Sequence, residues 1–212
     1  MTSAYWPLAD LRIRSGPLEL RPPVPAEYEV LADAAAREPH AHPRIPFLEH
    51  TADTPLRRGR RTLQWLWSDQ GTWRPDQWSL TLAVFDQGQL VGVQNVRAAE
   101  FARTREVRTG VWVFQDRRGQ GIGAHSRRAL LHLIFDGLGA RRAQYRAAAS
   151  NQASLALARS LGYAEDLAPL TADDTVRHFS LTADCWRTRT DPVSTHVTGL
   201  APALFMFGIG HE

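Results

Sequence analysis

The chain has 212 residues, is 43% hydrophobic, and carries a formal net charge of +3 with a sequence pI of about 9.6; that suffices for one substantial domain with its own core. All basic residues are arginine, in short clusters such as Arg57-Arg58-Gly59-Arg60-Arg61, Arg117-Arg118 and Arg141-Arg142, without the long basic run of a nucleic-acid surface. A single cysteine, Cys185, excludes an intrachain disulfide and a Cys-x-x-Cys metal site. Asp10, Arg12 and Arg14 interrupt any signal-peptide core, and no run approaches the roughly 20 apolar residues of a membrane span, so a soluble cytoplasmic protein with no membrane partner is expected.

Residues 1–16 read as a leader. Leu18-Glu19-Leu20-Arg21 alternates apolar and polar as a half-exposed first strand, stopped by Pro22 and Pro23. Pro25 suits the first turn of a helix over Ala26 to Arg37, with Tyr28, Leu31 and Ala35 on one face. His40 to Phe47 is a proline-broken loop. Its two histidines have no nearby Cys or paired carboxylates, so no metal site is expected. Thr54 to Trp67 reads as a second helix with Leu56, Leu63, Leu66 and Trp67 inward. Two strands follow, around Leu80-Leu82-Val84 and over Leu90 to Ala98, joined by a turn at Asp86-Gln87-Gly88-Gln89.

Glu106 to Phe114 is the central strand. Val107, Thr109, Val111 and Val113 share one face; Glu106, Arg108, Gly110, Trp112 and Phe114 share the other. A helix with Ile122, Ala129, Leu130, Leu133, Ile134 and Leu138 inward, and Arg127 and Arg128 on its wetter side, ends at Gly137 and Gly139. Ala143 to Ala148 is a strand of small residues. Asn151 to Gly162 carries another helix, and Tyr163–Leu167 with Thr175–Leu181 a final hairpin. Residues 183–212 form an extension whose Leu204-Phe205-Met206-Phe207 must cover the domain, add a strand or join two subunits.

Between the central strand and its helix lies Gln115-Asp116-Arg117-Arg118-Gly119-Gln120-Gly121-Ile122-Gly123. Strand, glycine-rich turn and helix present unpaired backbone N–H groups to an anion. The glycine spacing fits neither G-x-G-x-x-G nor the phosphate loop, whose lysine is absent. It does fit R-x-x-G-x-G, as Arg118, Gly121 and Gly123. This resembles the acetyl-coenzyme A pyrophosphate loop of the GNAT N-acyltransferase superfamily. A second motif, Asn151-x-x-Ser154 followed by Leu161-Gly162-Tyr163, is similar to the N-x-x-S … L-G-[FY] segment of the ribosomal-protein N-acetyltransferase (RimJ/RimL-like) branch.

The resemblance covers residues 17–182. It implies an α/β (α+β) fold with a mixed central sheet of about six to seven strands and helices on both faces. It implies acetyl-coenzyme A as cofactor, with the diphosphate on Arg118, Gly119, Gln120, Gly121, Ile122, Gly123 and Ala124. The pantetheine arm would pair with the strand edge at Val111, Val113, Phe114 and Gln115 and with the Asn151 amide. Ser154 would protonate the leaving thiolate, although Ser154 and Asn151 also suit a helix cap. A backbone N–H on the central strand would stabilise the oxyanion.

Two positions depart from the family. Arg108 replaces the usual strand glutamate, leaving Glu106 one pleat away, either as a proton relay through water or in a salt bridge with Arg105 or Arg108. Ala158 replaces the usual tyrosine acid. A site without a strong base suits low-pKa amines. An α-amine is about one-tenth neutral at pH 7, whereas a lysine amine is neutral about once in a few thousand. The expected acceptor is therefore a protein N-terminus or a small amine. A catalytically weak acyl-coenzyme A sensor is the alternative, and a homodimer is conceivable. Trp65, Trp67, Trp73, Trp78 and Trp112 border the acceptor side or fill the core.

Overall fold

The computed structural model describes residues 4–38, 54–166, 175–189 and 193–210. In chain order its elements are β1 (Arg12–Ser15), β2 (Leu18–Arg21), α1 (Pro25–Arg37), α2 (Pro55–Gly71), β3 (Gln77–Asp86), β4 (Gln89–Ala99), α3 (Phe101–Thr104) and β5 (Glu106–Val113). There follow α4 (Ile122–His132), β6 (Arg142–Ala148), α5 (Gln152–Ser160), β7 (Ala164–Glu165), β8 (Val176–Thr182), α6 (Ala183–Arg187) and β9 (Thr195–Thr198). The strands make one mixed sheet in the order β7-β8-β6-β5-β4-β3-β2-β1-β9. Among the described residues only β5 and β6 run parallel; their connection carries α4.

Nine strands exceed the six to seven expected, because the sheet continues past both expected limits. Arg12–Ser15, within the expected leader, is a strand of the sheet. Ile13 is fully buried between the charges of Arg12 and Arg14, and the segment pairs with β2 on one side and β9 on the other. The C-terminal extension adds β9 and then a 3₁₀ turn at Ala201–Phe207. Phe207 is fully buried against Trp73 and Trp78, and Trp73 Nε1 donates to the Met206 carbonyl at 2.8 Å. The extension thus covers the domain and adds a strand, two of the three outcomes its apolar composition demanded.

The β3–β4 hairpin turns through Gln87 and Gly88, both at positive φ, the geometry that matches strand twist. Helix α2 begins at Thr54, whose hydroxyl accepts from Arg57 N–H at 3.3 Å, with Pro55 following as first helical residue. Its inward face runs Gly59-Thr62-Leu66. Leu56 and Trp67, expected inside, are 63% and 58% exposed. The reason is close helix contact: the Gly59 backbone lies against Ala32 of α1, which turns the glycine edge inward and Leu56 and Trp67 outward. Tyr28, Leu31 and Leu66 pack with Val93 and Trp112 on this face of the sheet.

On the opposite face α4 presents Ile122, Ala129 and Leu130 as expected, but also Arg127, which is fully buried rather than on the wetter side. Its Nε donates to Gln94 Oε1 at 2.9 Å and its Nη1 to Thr109 Oγ1 at 2.6 Å. Its guanidinium lies 4.8 Å from the centre of the Tyr145 ring. Flat charge delocalisation and weak hydration allow a guanidinium such an environment where an ammonium would not. The loop His40–Phe47 and the turn Thr171–Asp174 lie outside the described residues. No helix among the described residues is long and apolar enough to cross a membrane, and none of their His, Cys, Asp and Glu groups forms a metal-binding cluster.

Candidate active site

The parallel pair β5–β6 closes only from Glu106–Arg142 to Thr109–Tyr145, whereas β5 stays paired with β4 out to Val113–Gly92. Beyond Thr109 a gap opens on the β6 side. Phe114 N–H donates to Val91 at 2.9 Å, so by the two-residue alternation Val111 and Val113 turn their backbone groups toward the gap. Strand residues Val111, Trp112 and Val113, loop residues Arg118 and Gly123, and Ser150 to Ser154 with Leu157 line a cleft of about 290 Å³ there.

One end of the cleft is the glycine loop. Gly119 and Gly121 sit at φ +76° and +78°, conformations a side chain resists, and nothing lies within 4 Å of where their Cβ atoms would be. Gly121 then caps α4: its carbonyl accepts from Ala124 and His125 at 3.1 and 3.0 Å. Ala124 therefore spends its N–H internally. The N–H groups of Gly119, Gln120, Gly121, Ile122 and Gly123 have no backbone partner among the described residues. Open space, unpaired donors and the positive end of an eleven-residue helix together fit a diphosphate.

Arg118 is more engaged than its motif suggested. Its Nε donates to the Val113 carbonyl at 3.0 Å and its Nη2 to Glu38 Oε1; the same oxygen accepts from Trp112 Nε1 at 3.0 Å. Glu38 is 5% exposed. The guanidinium thus ties the strand edge to the end of α1 and uses up the Val113 carbonyl. That leaves the Val111 N–H and C=O and the Val113 N–H for an added strand-like ligand. Gln115 starts a short 3₁₀ turn and lies outside the cleft lining, as does Phe114, which tilts against Trp112 at 5.1 Å.

At the other end Asn151 caps α5: its Oδ1 accepts from Ser154 N–H at 3.2 Å. The capping role is therefore real, and it leaves the Asn151 NH₂ group and the Ser154 hydroxyl on the cleft wall.

Glu106 is not in the cleft. It lies at the start of β5, where Gln144 Nε2 donates to its Oε2 at 2.9 Å. There it helps line a cavity of about 560 Å³ with Trp65, Asp69, Trp78, Ser79, Asn95, Arg97 and Arg108. Two of the five tryptophans expected near the acceptor, Trp65 and Trp78, border this cavity; Trp73 packs in the Phe207 cluster and Trp67 faces solvent. Trp112 is 2% exposed, packed under α1 and α2.

The cavity holds a residue that sequence reasoning missed. Asp69, in the last turn of α2, sits over the sheet. Thr81 Oγ1 donates to its Oδ2 at 2.5 Å and Asn95 Nδ2 at 3.3 Å. Burial pushes its carboxyl up to about 6, against the opposing pull of hydrogen bonds from Thr81, Ser79 and Trp65 and the nearby Arg97 charge. A helical Ser68-Asp69-Gln70 in a polar last turn carries no motif; only the fold brings it over Thr81.

A splayed parallel pair, an open glycine loop on a helix N-terminus and a polar cavity beside the same strand make up the candidate site of this fold. The family comparison agrees. Residues 17–164 match the acetyltransferase (GNAT) domain, and the chain belongs to this family of N-acetyltransferases. Among solved structures it is similar to Mycobacterium smegmatis RimJ in complex with a CoA-disulfide, at 18% identity and TM-score 0.68 over 84% of this chain and 90% of that one. It is also similar to RimL, a ribosomal L7/L12 alpha-N-protein acetyltransferase in complex with coenzyme A, at 22% identity and TM-score 0.62 over 81% and 97%. A spermidine N-acetyltransferase SpeG chimera from Vibrio cholerae and hSSAT aligns at 15% identity and TM-score 0.61 over 82% and 100%. At these identities the likenesses bear on the fold.

Proposed function

We propose that the protein transfers an acetyl group from acetyl-coenzyme A to a primary amine by direct attack, with an α-amine as the favoured acceptor. The observation that carries this reading is the cleft that runs from Arg118 and Gly123 of the glycine loop along the open edge of β5 to Ser154, with the unpaired amides of the same loop beside it. Bound acetyl-coenzyme A would supply the activated acyl carbon. The chain's own residues do the rest. The loop amides neutralise the diphosphate without a lysine. The Val111 and Val113 backbone groups and the Asn151 amide hold the pantetheine arm. The inward-turned N–H of Val111 is the nearest free donor for an oxyanion. Ser154 offers a proton to the departing sulfur, and Glu106, at the start of β5, faces the side from which the amine arrives.

The coenzyme A complexes of RimJ and RimL support the cofactor assignment, and RimL's α-amine substrate supports the acceptor class. A thiol-release assay over N-terminally free peptides, lysine peptides and polyamines, read also by mass spectrometry, tests it. Acetylation of α-amines is expected. Coenzyme A binding with no turnover on any amine contradicts it and returns the chain to the sensor reading. Acetylation of lysine peptides alone contradicts the acceptor class.

A further inference from the structure

We propose that Asp69 and Asn95 form the acceptor-nitrogen site, Asn95 Oδ1 accepting an N–H from the incoming amine and the Asp69 carboxylate receiving its proton. This rests on the acetyl-transfer reading above and deepens it.

The placement comes from sheet register. Thr81 of β3 stands opposite Asn95 of β4, and Asn95 stands opposite Gly110 of β5. Directly opposite residues share a face about 5 Å apart, so the three make a row across the sheet. The row ends at Gly110, next to the point where β5 leaves β6. Gly110 carries no side chain, so the row leaves the sheet surface uncovered there. Asp69 hangs over the other end of the row, one hydrogen bond from Asn95.

The polar atoms are oriented for this task. An ionised carboxylate only accepts, so the Asn95 amide must turn its nitrogen toward Asp69. That nitrogen also reaches Ser79 Oγ and Thr81 Oγ1, each at 3.0 Å. Asn95 Oδ1 is consequently left without a partner, in a residue 1% exposed that lines the cavity. An unpaired buried acceptor costs about 1–3 kcal/mol, and an amine N–H arriving there removes that cost. The charged and titratable groups around Asp69 are Arg97 on β4, Glu106 and Arg108 on β5 and Tyr28 on α1. The two guanidiniums keep the cavity from becoming purely anionic, while Asp69 is the carboxylate enclosed by the sheet.

The chemistry balances. An ammonium entering the cavity gives one proton to Asp69 and becomes the nucleophile. The C–N bond forms at the acyl carbon as the C–S bond breaks. The second nitrogen proton is lost to solvent, and the thiolate is protonated through Ser154. Burial raises Asp69 toward the α-amine's own range, which narrows the proton-transfer gap.

Wild-type protein, Asp69→Asn, Asn95→Ala and Thr81→Val are compared, with coenzyme A affinity by calorimetry beside the pH profile of kcat/KM on an N-terminally free peptide. In the wild type a limb near pH 6 precedes the limb of the amine itself. Asp69→Asn is expected to abolish the first limb and lower kcat/KM about a hundredfold, and Asn95→Ala about tenfold, with coenzyme A affinity unchanged. Thr81→Val removes a donor to the ionised carboxylate and shifts the limb to higher pH. Its shift decides the matter if Asp69→Asn does not fold. A ¹³C titration of the Asp69 carboxyl in the ligand-free protein reads the same group without turnover, with a midpoint near 6 expected. Full activity in Asp69→Asn, or an unmoved limb in Thr81→Val, overturns the inference while coenzyme A still binds. Loss of coenzyme A binding in the wild type instead overturns the transfer reading itself.

Discussion

The two hollows along β5 are built by different means. The cleft and the loop beside it are mainly backbone: unpaired amides at Gly119–Gly123, strand groups at Val111 and Val113, and a helix start at Asn151. Its residues come from two short stretches, about 111–123 and 150–157. The cavity is side chains: Asp69 from α2, Ser79 from β3, Asn95 from β4, Glu106 from β5 and Gln144 from β6. Backbone donors suit an anion whatever side chains surround them. A side-chain site recognises what differs. The first hollow is therefore generic in its chemistry and the second particular to this chain.

Arg127 tests whether the halves share one foundation, since it joins β4, β5 and β6 from beneath through Gln94, Thr109 and Tyr145. Replacing it with Ala leaves a cavity and unpaired Gln94 and Thr109 groups. A destabilisation of about 2–5 kcal/mol is expected in urea unfolding. A loss below about 1 kcal/mol would mean that the apex of the splay is held otherwise.

Gly121→Val probes the backbone half alone. A β-branched residue at φ +78° is strained and fills the space before the loop amides. Coenzyme A affinity is expected to fall by about a hundredfold, or about 2.7 kcal/mol, by calorimetry. Ser154→Ala should leave that affinity intact and lower kcat about tenfold or more, since only sulfur protonation is affected.

These two halves were unequally legible in the sequence. Arg118-x-x-Gly121-x-Gly123 and Asn151-x-x-Ser154 stand out because backbone sites need glycines and caps at fixed local spacing. The fold class followed from the order of strands and helices. Strand Arg12–Ser15 was hidden because its one apolar residue, Ile13, sits between two arginines, a pattern too short to signal. Arg127 was misplaced because helical spacing assigns a charged residue to water, and only Tyr145, Gln94 and Thr109 make its burial tolerable. The inward face of α2 was missed because a glycine contact rather than hydrophobicity sets it. Asp69 had no local sign at all; its meaning depends on strands ten and more residues away in sequence.

The smallest effect concerns stability. Asp69 has a raised folded carboxyl, so the folded state holds more protons than the unfolded chain between about pH 4 and 6. Stability from this group is therefore lost as pH rises through that window. Asp69→Asn removes the dependence, so its melting temperature should improve relative to wild type on going from pH 4 to pH 7.5, by a few degrees. A difference that does not change with pH would place Asp69 in water rather than over Thr81.

Calorimetric titration of coenzyme A into the wild-type protein tests the central claim most directly. Saturable one-to-one binding is expected, kept by desulfo-coenzyme A and lost by an analogue in which an uncharged linker replaces the diphosphate. Absence of binding, or binding indifferent to the diphosphate, would contradict the assignment of the Gly119–Gly123 amides.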